Sequence, residues 1–405
     1  MPLTLENRPA RVAFVVNNTS FGGDERTVLH LVSGLPRGSY EVAVACSLGG
    51  ALVDRLHDMG VPVLAWAAGQ RPRFSAPFSL AREFKRYRPD IVHGLGGGEL
   101  LARIAARLAR VPIIVSSGAA LVGVGEGFGW TRGQQRLLGR ATAGFVERYV
   151  ALNRASADAL TDRYRVAPSR VVVIPNGIEI ERFDPTQARR GVWRARFGVP
   201  DGAVLVGGIG RLSPEKGFRD LLRAFASEES DEVWLVIAGD GPDWEELQAL
   251  VEVFGLKDRV LLPGFVKDVP ELLADIDIFV LPSLVENHPL VLLEAMAMAR
   301  PVVAADISGV GDTVDDGVDG RLVAAGDVPA LAEAIRMFIR EPAAARRCGR
   351  NARRKIEREY TVERMVRRTA VLYQELLSGK AGGGFASRLG VRRAIDWTPG
   401  ATPTP

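Results

Sequence analysis

Short runs of β-branched and other apolar residues alternate with helical stretches along nearly the whole chain. Arg11–Val16, Val42–Ser47, Val63–Trp66, Asp90–His93, Pro112–Ser116, Tyr149–Leu152 and Val171–Ile174 read as strands. The alternation then restarts with Val204–Gly208, Val233–Ala238, Val260–Leu262, Ile278–Leu281 and Pro301–Ala304. Strands that are apolar on both faces and separated by helices build a parallel sheet covered on both sides. A chain of 405 residues is too long for one core, so the pattern predicts an α/β protein with two doubly wound domains in tandem. Turn formers concentrate at Pro175-Asn176-Gly177 and Phe183-Asp184-Pro185, which puts the connection near 176–200. The predicted division is a first domain over 1–185, a second over 186–360, and a Gly/Pro-rich tail over 379–405 with too little apolar surface to order itself. Pro329 to Leu377 reads as helical, and Arg346, Arg347, Arg350, Arg353, Arg354 and Lys355 as mostly a solvated helix face.

Composition narrows the class further. The two cysteines, Cys46 and Cys348, lie far apart, which fits neither a disulfide framework nor a metal-ligand cluster. The first apolar run, Val12–Val16, is too short for a signal peptide, and no later run reaches a membrane span. The expectation is a cytoplasmic protein without a resident metal or cofactor. The net charge of +4 hides an asymmetry: residues 1–190 carry 25 Lys and Arg against 16 Asp and Glu, the remainder 27 against 32. A basic first half suits an anionic partner or is simply solvated. Nucleic acid is not expected, because the basic residues form no recognisable binding motif.

In parallel α/β sheets, ligands bind beyond the carboxyl ends of the strands. After the first predicted strand comes Gly22-Gly23-Asp24-Glu25-Arg26, where paired glycines at a helix N-terminus let backbone N–H groups approach an anion. The full G-x-G-x-x-G fingerprint is absent, which argues against ordinary dinucleotide binding. After Val204–Gly208 the loop Gly210 to Gly217 carries Arg211 and Lys216, a planar fork and a mobile point charge suited to clamping a diphosphate. Pairing with Glu215 is the bland alternative. After Ile278–Leu281 comes Glu286-Asn287-His288-Pro289-Leu290-Val291, with Pro289 suited to a first helical turn and Glu286 beside the positive helix end. Glu294 lies within that apolar helix and needs a partner, either a ribose diol or a neighbouring basic residue. Asp315, Asp316 and Asp319 do not match a calcium loop and read as a tight turn.

In this order, Gly22-Gly23-Asp24-Glu25-Arg26, Ile174-Pro175-Asn176-Gly177-Ile178, Gly210-Arg211 to Lys216-Gly217, Glu286 spaced from Glu294, and Pro301-Val302-Val303-Ala304 resemble the retaining nucleotide-sugar glycosyltransferases of family 4, glycosyl transferases group 1, with the GT-B fold. The resemblance implies two Rossmann-like domains around a cleft, the acceptor on the first and the donor held mainly by the second. It implies that Arg211 and Lys216 hold the diphosphate, Glu294 the ribose and Glu286 the donor sugar. Asn287, His288, Pro289, Leu290 and Val291 would line the donor site, Phe265 and Val266 would flank the base, and Gly22 and Gly23 would close over the reaction centre. Glu286, Arg211 and Lys216 are the implied catalytic group. No metal is implied, since cations and helix ends take the leaving-group charge. The final helix, Thr361–Leu377, would cross back onto the first domain.

Two departures stand out. Gly118 lies roughly where many relatives carry a histidine, and Asn287-His288-Pro289 replaces a glycine-rich loop. His288 is either a substitute imidazole or a surface cap; His93 reads as a packed strand-end residue. Arg71 to Arg88 combines Phe74, Phe78, Leu80, Phe84 and Tyr87 with six basic residues, and Gly127 through Trp130 and Arg132 to Arg136 is similar. Such segments suit an anionic membrane surface or simply cover the sheet. The implied function is transfer of a sugar, from a UDP-sugar on family frequency, to a glycan or lipid-linked acceptor in cell-surface polysaccharide or glycoconjugate assembly. A nucleotide-sugar epimerase or phosphorylase on the same architecture, and a binding scaffold without catalysis, are the rival expectations.

Overall fold

A computed structural model describes residues 8–17, 22–47, 49–66, 75–117, 132–228 and 230–381, the side chains of 132–136, 163 and 380–381 excepted. Seven strands, β1 (Ala10–Val15), β2 (Tyr40–Ser47), β3 (Val63–Trp66), β4 (Ile91–Leu95), β5 (Ile113–Ser117), β6 (Arg148–Ala151) and β7 (Val171–Val173), form the first sheet. Six more, β8 (Val204–Ile209), β9 (Val233–Ala238), β10 (Val260–Gly264), β11 (Ile278–Leu281), β12 (Val302–Asp306) and β13 (Arg321–Ala324), form the second. The orders are β3-β2-β1-β4-β5-β6-β7 and β10-β9-β8-β11-β12-β13, with parallel pairing throughout. In each sheet the winding reverses at the first strand, beside β1 and beside β8. A crevice therefore opens at the carboxyl ends of both.

The central strands are buried on both faces: every residue of β4, β5 and β11 is inaccessible or nearly so, which is why Ile91-Val92, Ile113–Val115 and Ile278–Leu281 stand out as apolar runs. β13 escapes the sequence reading for the opposite reason. Its four residues sit at the sheet edge, partly exposed, directly after a turn. In that turn Gly317 N–H donates to Gly320 O at 2.8 Å, and Asp319 accepts from Asp315 N–H at 2.7 Å. Lys355 lies 2.8 Å from Asp315 and 3.0 Å from Asp319, while Arg353 donates to the carbonyls of Phe183 and Ala297. Those two side chains are therefore structural, whereas Arg346, Arg347, Arg350 and Arg354 are exposed, as expected for a mostly solvated face on the Pro342–Glu359 helix.

The chain returns to the first sheet at its end. Ile178 pairs with Thr361, and a Cβ on Gly177 would stand 2.5 Å from Thr361 O, so only glycine lets the outgoing and returning segments pass. The Val362–Ala381 helix then packs on the Gly23–Gly34 helix and places Met365, Val366, Leu372, Tyr373, Leu376 and Leu377 in the first core. Each such side chain contributes about 1.5–3 kcal/mol when fully buried. The second sheet is covered by two separate apolar clusters, one on each face. Cys46 and Cys348 are buried free thiols, one in each domain. Among the described residues no helix is long and apolar enough to cross a membrane.

Candidate functional site

The second-domain wall of the crevice is made by the loops after β8 and β11. The chain leaves β8 through Arg211, makes a short 3-10 turn at Pro214–Lys216 and turns at Gly217, whose φ is +68°. A Cβ there would lie 2.1 Å from Pro282 O, so glycine allows the two loops to touch. That contact sets the charges. Lys216 Nζ donates to Glu286 Oε1 at 2.6 Å, and Ser283 Oγ donates to the same oxygen at 2.9 Å. Arg211 instead pairs with Glu215 at 2.6 Å on the exposed side of the loop, as the bland alternative held. The helix Leu290–Ala297 follows, with Pro289 as its cap one residue earlier than expected. Its first backbone N–H groups have no intrahelical acceptor and present positive charge.

The first-domain wall is the N-terminus of the Gly23–Gly34 helix. Gly22 caps it, its N–H donating to Glu25 at 2.9 Å, and burial pushes the Glu25 carboxyl up to about 7. A Cβ on Gly23 would stand 3.8 Å from the Leu290 side chain, so the two helix N-termini meet across the crevice. Glu294, 2% exposed in its apolar helix, forms an ion pair with Arg26 from the opposite wall. The basic-neighbour alternative is thus the one seen here. Other polar contacts join the walls. Asn176 Nδ2 donates to His288 O at 3.1 Å and its Oδ1 accepts from Thr27 at 3.3 Å. Asn287 O accepts from Asn153 Nδ2, and Asn287 Oδ1 accepts from Ser156 Oγ at 2.7 Å. Asp312 accepts from Arg154 N–H at 2.7 Å at the start of a first-domain helix.

Beneath this contact lies a neutral chain of hydrogen bonds. His93, the central residue of β4 rather than a strand-end one, is 2.6 Å from Tyr373 Oη through Nδ1 and 2.6 Å from Ser117 Oγ through Nε2. Burial drives its pKa down to about 3, so the ring is neutral and one nitrogen donates while the other accepts. A cavity of roughly 30 Å³, room for about one water, is lined by Asp24, Thr27, His93, Ser117, Asn176 and Asn287 among others.

The structure thus brings Gly22, Gly23, Lys216, Glu286, Leu290 and Glu294 to one crevice. Arg211, on the same loop as Lys216, is exposed and paired with Glu215. Val266 is buried, whereas Phe265 is 78% exposed. His288 is neither a surface cap nor turned towards Lys216. It is buried, its ring 5.6 Å from that of Tyr360 and its Nε2 3.5 Å from Thr313 Oγ1, with its pKa lowered to about 4 by burial. Gly118, the loop Gly127 to Trp130 and residues 67–74 lie outside the described residues. Of the expected amphipathic segment, the helix Ala76–Tyr87 buries Leu80 and Phe84 against the sheet and leaves Phe78 67% exposed. Sequence reading missed Arg26 and Ser117 as site residues. Arg26 follows Gly23 by three positions, one helical turn, which was the available signal.

Known proteins bear on this geometry. Residues 21–182 match the family model described as Glycosyltransferase Family 4, and residues 190–355 match Glycosyl transferases group 1. A relative from Escherichia coli, UDP-Gal:alpha-D-GlcNAc-diphosphoundecaprenol alpha-1,3-galactosyltransferase, is 27% identical over 91% of this chain and 98% of its own length. Alpha-D-kanosaminyltransferase from Streptomyces kanamyceticus is 29% identical over 77% and 83%. Among solved structures, Anabaena Alr3699/HepE in complex with UDP-glucose superposes with a TM-score of 0.78 at 22% identity, covering 90% of this chain and 99% of that one. The two family models fall on the two sheets in turn, and the relatives found are themselves glycosyltransferases. This chain belongs to the family 4, group 1 glycosyltransferases of GT-B fold.

Proposed function

We propose that the protein is a retaining enzyme that moves a hexosyl group from a UDP-sugar to a lipid-linked or glycan acceptor in cell-surface polysaccharide assembly. The observation that carries the reading is the meeting of Lys216, Glu286, Glu294 and an unsatisfied helix N-terminus at the carboxyl ends of β8 and β11, facing Gly22 and Gly23. The Escherichia coli relative is named for a UDP-galactose donor and a lipid diphosphate acceptor, and the HepE complex contains UDP-glucose; both support the choice of donor.

In this reading the Leu290 and Val291 N–H groups, Lys216 and Arg211 take the diphosphate, Glu294 the ribose hydroxyls and Glu286 a hydroxyl of the donor sugar. Phe265 and Val266 flank the base. Asn287, His288 and Pro289 shape the approach to the helix through their backbone. When the anomeric carbon–phosphate oxygen bond breaks, the new negative charge develops against cations and a helix end already in place. The acceptor oxygen bonds to the anomeric carbon from the same face, and its proton passes to the departing phosphate oxygen. No pair of carboxylates spaced for a glycosidase is then needed. The charges supplied by the protein make a divalent cation unnecessary, so turnover is expected to survive EDTA. Closure of the walls limits donor hydrolysis.

A peripheral membrane site fits a lipid-linked acceptor. The surface near Phe78, with Arg82, Lys85 and Arg86 on the same helix, is the proposed contact, and the absence of flotation with anionic vesicles at low salt would remove it. The deciding test of the main reading is thermal stabilisation by UDP, GDP and ADP, each repeated with Glu294→Ala. A nucleotide at about 100 times its Kd adds about 2.7 kcal/mol. A shift with UDP that vanishes in the variant is the expected result; no shift with any nucleotide would favour a binding scaffold or an epimerase with a different site.

A further inference from the structure

Glu294 already has an occupant. Its side chain is 3% exposed and is held by Arg26 from the other domain, itself 23% exposed. The other seven residues of the Leu290–Ala297 helix are apolar, so the carboxylate has no polar neighbour on its own element. The pair answers the charge but not the hydrogen bonding. Among the described residues Arg26 Nη2 is buried without an acceptor, and Glu294 Oε1 makes no aligned hydrogen bond. An under-satisfied buried pair is costly to form and readily exchanged for a ligand that supplies better-aligned donors. Arg26 also has somewhere to go. Its charge contributes, after those of His30 and Arg182, to holding the Glu179 carboxyl low, so a second anion lies within its electrostatic reach.

We propose that Arg26 is a specificity-determining residue that sits, in the empty enzyme, where a ribose diol binds Glu294. The assignment rests on the reading of Glu294 as the ribose carboxylate. A ligand with two adjacent hydroxyls replaces the guanidinium and gives Glu294 two donors; a diphosphate without a ribose leaves the pair intact. Arg26 thereby sets how much the nucleoside contributes to binding. Because Gly23 and Leu290 approach one another one turn away, its displacement also loosens the approach of the two walls. An interaction made only in the free state weakens the ligand that breaks it by its own equilibrium factor.

The test is calorimetric titration of the full chain with UDP and, separately, with inorganic pyrophosphate. Arg26→Ala is expected to tighten UDP about 5- to 20-fold, within the range of a single coupling interaction, and to leave pyrophosphate unchanged. Arg26→Lys should fall between wild type and Arg26→Ala for UDP, which guards against an alanine variant that melts early. Adding Arg26→Ala to Glu294→Ala should give no further tightening. Weaker or unchanged UDP binding in Arg26→Ala overturns the assignment, as does equal tightening of pyrophosphate, which would mean that Arg26 acts on the walls in general. If Glu294→Ala alone leaves UDP affinity untouched, the ribose reading itself fails, and the assignment with it.

Discussion

The two walls of the crevice solve the same problem with different chemistry. The second-domain wall holds formal charges in pairs, Lys216 with Glu286 and Arg211 with Glu215. The first-domain wall, below Arg26, is built on a neutral chain beside Asp24: His93, Ser117 and Tyr373 are joined by buried hydrogen bonds in which none of the three need carry charge. A charged wall suits a ligand whose charge grows during reaction, because each ion pair can be exchanged for a phosphate oxygen. A neutral wall suits an uncharged hydroxyl-bearing partner, where alignment matters more than field strength. Crossing from one wall to the other should therefore change which quantity a mutation moves.

The sharpest contrast is in turnover. Lys216→Ala should lower kcat by 10²–10³, about 2.7–4 kcal/mol, measured as UDP release from UDP-galactose or UDP-glucose. Tyr373→Phe on the neutral wall should leave UDP affinity unaltered and cost about 1–3 kcal/mol of stability instead, since His93 Nδ1 loses its only partner among the described residues. A denaturant melt in parallel with a UDP titration distinguishes the two behaviours, and a Tyr373→Phe variant that lost UDP binding would erase the proposed division.

Acid should find the histidines. His93 and His288, with folded values near 3 and 4, stay neutral in the folded protein while the unfolded chain takes up protons below about 6.5. Each therefore removes about 1.4 kcal/mol of stability per pH unit as pH falls from 6.5 towards its folded value. Glu25 acts with the opposite sign. Its folded value near 7 lies above the unfolded carboxylate value, so it adds a similar slope of stability as pH falls from 7 to about 4.5. From these three groups the net loss is about 1.4 kcal/mol per unit between pH 6.5 and 4.5, steepening just below. Replacing His288 by Gln should flatten the curve in that window. The smallest expected effect belongs to Phe265→Ala. This exposed side chain should shift stability by less than about 0.5 kcal/mol, while weakening UDP a few-fold if it stacks on the base.

The central strands were legible because they are buried on both faces, and edge strand β7 because its three residues are all valine; edge strand β13, half exposed and beginning with Arg321, carried no such mark. Glu294 was legible as an anomaly, a carboxylate in an apolar helix, but not its present partner, because Arg26 lies 268 positions earlier and meets it only through the approach of two helix ends. His288 was misread for a related reason. Its neighbours in sequence are polar or helix-starting, whereas its actual surroundings, Tyr360 and Thr313, come from distant segments. Local chemistry thus announced which residues were unusual, and tertiary packing decided what each one faces.

The return of the final helix has a consequence for the order of events during synthesis. Tyr373 and Leu376 belong to the core built on β1 to β7, yet they are translated after the whole second sheet. The amino-terminal half must therefore wait, with the imidazole of His93 lacking its phenol partner and the Gly23–Gly34 helix uncovered along one side, until nearly the last described residues have left the ribosome. Domains that are complete in sequence fold as they emerge; here the second half has the means to finish first. A stalled or shortened product ending before residue 362 would present that uncovered apolar strip to the cell, and should be bound by chaperones or degraded although every strand of both sheets is present.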